Sequence, residues 1–253
     1  MNSSERRLKI YNILMENETV DVSELSQHFD VSPMTIRRDL AIYEKQGILT
    51  TTYGGAYLNR DIPSGTSVSP DVSQLNDNAR KIGIAAGKLL KSGDSVFLDS
   101  GDMTTGIVHG IKNLRLTVMT NSLAAANILR TFSKVELIMA PGSYQEDIYG
   151  FASSSTIAFI RKYNFDVALI NGEKLDTAYG LTVKNETAAH LKATALDCAK
   201  RNIVMIRSDD IDDSAFAQVA TLRRINHIVT DRGLSDDVKG ALEQRGPQVI
   251  LAD

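Results

Sequence analysis

Cysteine is nearly missing from this sequence of 253 residues: Cys198 stands alone. That excludes an internal disulfide and any cysteine cluster for zinc. Cys198 itself falls in an alanine-rich helical stretch and reads as a small core residue. Histidine is scarce as well. His28, His109, His190 and His227 are the only four, and no two have metal-ligand spacing. Neither a metal nor a cofactor is expected. Long apolar runs are absent, and residues 1–12 carry no signal-peptide pattern, so a cytoplasmic protein without a membrane partner is expected. An excess of one charge is lacking too. A net charge of −3 argues against coating nucleic acid through bulk charge, yet it leaves room for a small reading head. What is present, 43% hydrophobic and 23% charged residues, describes an ordinary soluble chain long enough for two domains.

The chain is organised around Ser32-Pro33-Met34-Thr35-Ile36-Arg37-Arg38-Asp39-Leu40. Ser32 suits an N-cap and Pro33 the first helical position, so a helix should run to about Gln46, with Gly47 ending it. Ile36, Leu40 and Tyr43 then share an inward face. Met34 and Arg38 project from the opposite side, with Thr35 and Arg37 on its flanks. Hydroxyl, guanidinium and apolar groups in the first two turns suit the major groove of DNA, and the first-turn N–H groups suit a phosphate. Upstream, residues 4–16 carry Ile10, Ile13 and Leu14 at helical spacing. Asp21-Val22-Ser23-Glu24 reads as a capping box opening a second helix that buries Leu25 and Phe29. Downstream, two β-like runs around Gly54-Gly55 read as a hairpin wing. Arg6, Arg7, Lys9, Lys45 and Arg60 are candidates to reach phosphates.

Residues 59–78 are rich in Ser, Pro, Gly and Asp without periodicity, and read as a linker. From Ala79 onward helices and strands alternate. Strands are expected at 95–98, 116–119, 135–139, 167–170, 203–206, 228–229 and 249–251. Helices are expected at 79–90, 104–111, 122–130, 156–163, 186–200 and 236–244. Such alternation implies an α/β fold with a mainly parallel, Rossmann-like sheet, in which ligands bind at the carboxyl ends of strands. Those ends carry Asp99-Ser100-Gly101-Asp102-Met103-Thr104, Thr120-Asn121-Ser122, Ala140-Pro141-Gly142-Ser143 and Asn171-Gly172-Glu173. Serine, threonine, asparagine and glycine at helix starts supply the N–H donors and hydroxyls that a sugar or phosphate needs, although the same residues also serve as plain N-caps.

The string from Arg7 through Ile10, Leu14, Val22, Leu25, Phe29, Val31-Ser32, Thr35-Ile36-Arg37-Arg38-Asp39-Leu40, Gly47 and Tyr53-Gly54-Gly55-Ala56 closely resembles the DNA-binding domain of the DeoR family of bacterial transcription regulators. The resemblance implies a winged helix-turn-helix domain at 1–57, a linker at 58–78 and an effector domain at 79–253. Ser32, Met34, Thr35, Arg37, Arg38, Tyr53, Gly54 and Gly55 are its implied DNA-binding residues. Leu98-Asp99-Ser100-Gly101, Thr120-Asn121-Ser122-Leu123, Gly180-Leu181-Thr182 and Glu186 with Lys192 resemble the family's effector domain, which is similar in fold to ribose-5-phosphate isomerase. The expected protein is a repressor of a carbohydrate operon. Its implied partners are double-stranded operator DNA, a second copy or more in a homodimer or homotetramer, and a sugar or polyol phosphate. An isomerase or deaminase with a DNA-binding appendage is the enzymatic alternative, with Asp99, Glu173 and Glu186 as nominal bases. A regulator that answers to a partner protein is a third.

The effector loops depart from the family pattern. The usual Asp-Ser-Gly-Thr-Thr-Thr reads Asp99-Ser100-Gly101-Asp102-Met103-Thr104, and the usual Asp-Ser-Ser-Lys reads Arg207-Ser208-Asp209-Asp210. The Gly-x-Asp-Gly segment appears as Asn171-Gly172-Glu173-Lys174. The expected effector site comprises Asp99, Ser100, Gly101, Asp102, Thr104, Asn121, Ser122, Gly142, Glu173, Glu186, Lys192 and Arg207. Its altered charges imply a ligand less negative than a sugar phosphate, or a phosphate held through Arg207, Lys174 or Lys192.

Overall fold

The structure, a computed structural model, describes residues 3–17, 19–45, 49–52, 54–58 and 77–253. The chain divides into two compact units, Met1–Ser69 and Pro70–Asp253. Three expectations fall outside the described residues: the helix stop at Gly47, the wing residue Tyr53, and the linker over 59–76.

The first unit comprises α1 (Ser3–Asn17), β1 (Thr19–Asp21), α2 (Val22–Phe29), α3 (Pro33–Lys45), β2 (Leu49–Thr51) and β3 (Gly55–Leu58). Asp21 caps α2 by accepting the N–H groups of Ser23 and Glu24. Ser32 caps α3, its Oγ accepting the Thr35 N–H at 3.2 Å. Those caps fix where the helices start, and apolar spacing fixes how they pack. Ile10, Leu14, Leu25, Ile36, Leu40 and Leu49 form one buried core. Beyond the expected β2–β3 hairpin there is a third strand: β1 pairs antiparallel with β3, giving the order β1-β3-β2. That pairing explains Gly55. A Cβ there would lie 2.1 Å from the Val20 carbonyl oxygen, inside contact distance.

The second unit is built on a seven-stranded sheet, all of whose pairings are parallel. Its strands are β4 (Ser95–Leu98), β5 (Leu116–Thr120), β6 (Val135–Met139), β9 (Phe165–Asn171), β12 (Ala199–Met205), β14 (His227–Thr230) and β15 (Gln248–Leu251). They lie in the order β15-β14-β12-β9-β4-β5-β6. The chain starts at β4 and works outward through β5 and β6, then returns to β9 and works outward the other way. The switch point therefore lies between β4 and β9, where the crevice of an open α/β sheet forms. Burial alternates along the strands. Phe97, Ala168, Ile170 and Val204 belong to one core, Val96, Val167, Leu169 and Ile203 to another. The second core is covered by α4 (Asp77–Gly87), α5 (Thr104–Ile111) and α6 (Leu123–Leu129); the first by α7 (Ser154–Ile160), α8 (Glu186–Asp197) and α9 (Asp236–Glu243). Cys198 packs, part-buried, against that first core.

Two small sheets were not expected. β7 (Tyr144–Gln145) pairs with β8 (Gly150–Phe151), and β10 (Lys174–Asp176), β11 (Gly180–Val183) and β13 (Ala217–Ala220) form an antiparallel sheet whose Leu175, Leu181 and Val219 join the first core.

The glycine pair of the wing separates by role. Gly55→Ala should destabilise the first unit by about 1–3 kcal/mol, because backbone must move. Gly54→Ala, whose Cβ would meet nothing nearer than Asp21 Oδ2 at 3.7 Å, should cost well under that. Chemical denaturation of the two variants checks this; equal losses would refute it.

Candidate functional sites

On α3 the buried side is set by Ile36, Asp39 and Leu40. Asp39 is the unusual member. Its Oδ2 accepts Arg6 Nε at 2.7 Å, and Arg7 Nε lies 3.9 Å from its Oδ1. Arg6 is only 9% exposed, so it is a clamp between α1 and α3 and not one of the phosphate-reaching bases expected from the sequence. Tyr43 adds a second tie, donating its hydroxyl to the Arg7 carbonyl at 2.9 Å. Glu44 accepts the Thr51 N–H at 3.0 Å and its hydroxyl as well, joining α3 to β2; these bonds hold its carboxyl below the usual range.

What α3 leaves outside is Met34, Arg37 and Arg38, all exposed, with Thr35 partly so. Met34 is 57% exposed, a large apolar side chain standing in solvent on the same face as Arg38. Ser32 Oγ and Thr35 Oγ1 lie 2.9 Å apart and satisfy each other. In the wing, Gly54 is exposed, whereas Gly55, also expected to contact DNA, is buried and packs against β1. Lys9 is exposed on α1. Tyr53, Arg60 and the Lys45 side chain lie outside the described residues.

In the second unit the sheet's switch point gathers most of the expected residues. Asp99 ends β4, is 1% exposed, and takes the Asn171 N–H from β9 at 3.1 Å. Lys192, 7% exposed and reaching up from α8, donates to the same carboxylate and to the Asn171 carbonyl at 2.9 Å. The Asp99 N–H bonds the Leu169 carbonyl at 3.0 Å, so β4 and β9 stay paired to the last residue before they part. Thr104 is fully buried and donates to the Asp99 carbonyl at 2.7 Å, which closes the loop. Asn121, at the end of β5, accepts the Ser100 N–H at 2.9 Å and donates to Ser100 Oγ and the Phe151 carbonyl. Gly150 presses so closely on Ser100 that a Cβ there would sit 2.4 Å from its Oγ. The β7–β8 hairpin is thus a wall of the site that sequence reasoning missed; Gly150 beside two aromatics was its only signal.

Other expected residues have local partners or positions of their own. Ser122 is 2% exposed and caps α6 through the Ala125 N–H. Gly142 is exposed, and a Cβ on it would strike Thr156 Oγ1 at 2.2 Å. Glu173 turns to Lys184, accepting its N–H at 3.0 Å with the ammonium 3.8 Å away. Glu186 is exposed in the first turn of α8, behind the Asn185 cap.

The substituted charges meet one another. Arg207, after β12, places Nη1 2.7 Å from Asp102 Oδ2 and Nε 3.2 Å from Asp210 Oδ2. Lys174, after β9, lies 3.1 Å from Asp210 Oδ1 and 2.9 Å from Asp213 Oδ2. Burial opposes the charge on Arg207, but Asp102 and Asp210 outweigh it and hold the guanidinium pKa above its ordinary value. Hydrogen bonds from Lys174 to Asp213 and Asp210 raise the lysine likewise. All three cations named from the sequence, Arg207, Lys174 and Lys192, already face carboxylates. Among the described residues no group of three His, Cys, Asp or Glu is arranged to hold a metal ion.

Removing one half of the buried pair exposes its cost. Lys192→Met should destabilise the second unit by about 3–5 kcal/mol, because Asp99 is left charged and unpaired. Adding Asp99→Asn to Lys192→Met should recover part of that loss. Urea unfolding of the single and double variants measures the coupling, and strict additivity would disprove it.

Comparison with known proteins agrees across both units. Residues 6–61 match the family profile of the DeoR-like helix-turn-helix domain, and residues 76–232 that of the DeoR C terminal sensor domain. The chain is 33% identical to the putative aga operon transcriptional repressor of Escherichia coli O157:H7, over 98% of this chain and 94% of that protein. It is 26% identical to the HTH-type transcriptional repressor GlcR of Bacillus subtilis, over 100% of this chain and 98% of that protein. Ribose 5-phosphate isomerase A from Methanocaldococcus jannaschii matches with a TM-score of 0.39 and 15% identity, covering 53% of this chain and 54% of that one. Matched in both its head and its sensor domain, and aligned nearly end to end with a repressor a third identical to it, the chain belongs to the DeoR family of transcriptional regulators.

Proposed function

We propose that this chain is a sequence-specific repressor of a carbohydrate operon, and that a phosphorylated sugar or polyol bound in its α/β unit weakens its hold on the operator. The observation that carries the DNA half is the outward face of α3. Met34, Arg37 and Arg38 stand exposed on a helix whose inward side is fixed by Ile36, Leu40 and the Arg6–Asp39 pair. A rigid helix presenting such groups near its N-terminus fits the major groove. Residues 1–57 serve DNA, 79–253 serve the effector, and 58–78 join them. The names of the relatives, a repressor of the aga operon and the repressor GlcR, favour repression and a carbohydrate operon. No helix among the described residues is long and apolar enough to cross a membrane, in keeping with a cytoplasmic regulator.

The effector site is the crevice at the ends of β4 and β9, with Ser100, Gly101, Asn121 and Asp102 around it. Regulation is favoured over isomerisation by the state of two of the three nominal bases, Glu186 being exposed at the start of α8. Asp99 is bound to Lys192 and Asn171, and Glu173 to Lys184, so neither carboxylate is poised to take a proton from a substrate.

Arg38 reads a base edge and Arg37 supports the backbone contact. Arg38→Ala should cost about 1–3 kcal/mol in operator affinity and relax specificity at one position. Arg37→Ala should weaken operator and random DNA alike. Binding of Arg38→Ala to both DNAs at the parent's affinity would sink the assignment.

One winged head covers only a half-site, and operator symmetry mirrors protein symmetry. Sedimentation at micromolar concentration should therefore give a dimer or tetramer. A monomer retaining full operator affinity would remove this expectation.

A further inference from the structure

We propose that a second ligand site lies in the groove between α7 and α8, and that it takes an open-chain polyol phosphate. The groove is a cavity of about 500 Å³, a size typical of small-molecule sites. None of the crevice residues Ser100, Gly101, Asp102 and Asn121 lines it. Its position follows from the fold. α7 leads into β9 and α8 into β12, parallel neighbours in the sheet. The Phe165 N–H bonds the Cys198 carbonyl at 2.7 Å, so the two helical connections end side by side. The helices therefore run in the same sense, and their facing sides leave a trough.

Side chains sort along that trough by chemistry. From Ser154, at the start of α7, Ile157, Ala158 and Arg161 follow at i+3, i+4 and i+7, which puts all four on one face. Thr187 and His190, three apart on α8, line the opposite side. Hydroxyls gather at the N-terminal end, from Ser154, Thr187 and the nearby Ser143. His190 and Arg161 follow toward the C-terminal end, with Ile157 and Ala158 as an apolar floor. Seven residues of helix put Ser154 and Arg161 about 10 Å apart. One small anion cannot reach both ends; an extended hydroxylated chain with its charge at one end does.

The charged end is open to a ligand. Arg161 and His190 are exposed, and no aspartate or glutamate lines the groove. Burial and Asp197 push the Cys198 thiol up while Arg161 pulls it down, which sets the guanidinium near that thiol; Asp197 itself is bound to Arg224. Unlike Arg207, Lys174 and Lys192, Arg161 forms no ion pair among the described residues. A guanidinium fork takes two oxygens of a phosphate monoester and leaves a third for the His190 ring N–H, whereas a carboxylate has no third.

NMR of the full chain with labelled histidines tests this, His190→Asn identifying the His190 ring signal. At least one of sorbitol 6-phosphate and its epimer mannitol 1-phosphate should move that signal saturably. Sorbitol and inorganic phosphate, each able to fill one end only, should bind at least about tenfold more weakly, the scale of a charge-assisted hydrogen bond. Arg161→Gln should weaken the polyol phosphate by a similar factor, and Arg161→Lys by less. A signal that neither polyol phosphate moves would overturn the proposal. So would inorganic phosphate binding as tightly as the esters, the mark of an adventitious ion, or an affinity untouched by Arg161→Gln. A response lost in Asn121→Ala but kept in Arg161→Gln would belong to the crevice, refuting the groove site and supporting the crevice as the sugar-phosphate site.

Discussion

The Asp99 carboxylate sets the terms for the second unit. It sits where the sheet order reverses, at the end of β4, with almost no exposure to solvent. A buried charge must be paired and hydrogen-bonded, or it costs several kcal/mol. Three constraints follow. Asn171 must turn its N–H inward from β9, Lys192 must reach up from α8, and Thr104 must fold the loop back onto the Asp99 carbonyl. The loops after β4 and β9 are thereby anchored to one point, and α8 is held against the sheet. Ser100 and Gly101 lie next to that anchor. The crevice they line is consequently built before any ligand arrives, which lowers the ordering cost of binding.

The first unit follows the same logic with a different outcome. Its buried charge, Asp39, lies inside the segment that reads as a recognition helix, and Arg6 from α1 neutralises it. Inward groups of α3 are spent on the core, on Arg6 and, through Glu44, on β2; outward groups are left unencumbered by that packing. A chain with a net charge of −3 has no surplus of cations for DNA. Affinity has to come from a few well-placed ones, and each phosphate contact contributes to the salt dependence of binding. Holding α3 rigidly gives those few contacts their register.

Features with local causes were legible in the sequence. Asp21 and Ser32 announced α2 and α3 because a cap acts within three residues. The alternation of short strands with helices from Ala79 onward announced a mainly parallel sheet, because parallel neighbours need a crossover helix between them. Features with distant causes were not. β1 is three residues, Thr19–Asp21, and its reason for being a strand is β3, more than thirty residues on. The strands of the β7–β8 hairpin and of the β10–β11–β13 sheet are two to four residues each, too short to show a period. Arg6 looked like a phosphate ligand because its partner is 33 positions away. Gly55 read as one of the wing's turn pair and Gly150 gave no reading at all, because the neighbours that require them, Val20 and Ser100, come from other segments.

Charge substitutions in the sensor loops make the same point more sharply. Taken singly, Asp102 adds repulsion toward a phosphate, and Asp210 where a lysine usually stands removes attraction. In the fold they are bound to one guanidinium, 105 residues from Asp102 and three from Asp210. Lys174 then ties Asp210 to Asp213. Three carboxylates and two cations alternate, so the electrostatic character of the crevice mouth belongs to the network and not to any member. That network joins the loops after β4, β9 and β12, which are adjacent in the sheet. A ligand that displaces one carboxylate from Arg207 therefore acts on loops from three strands together. A change of a few ångströms in one ion pair thus has a structural route into the three neighbouring strand ends of this unit.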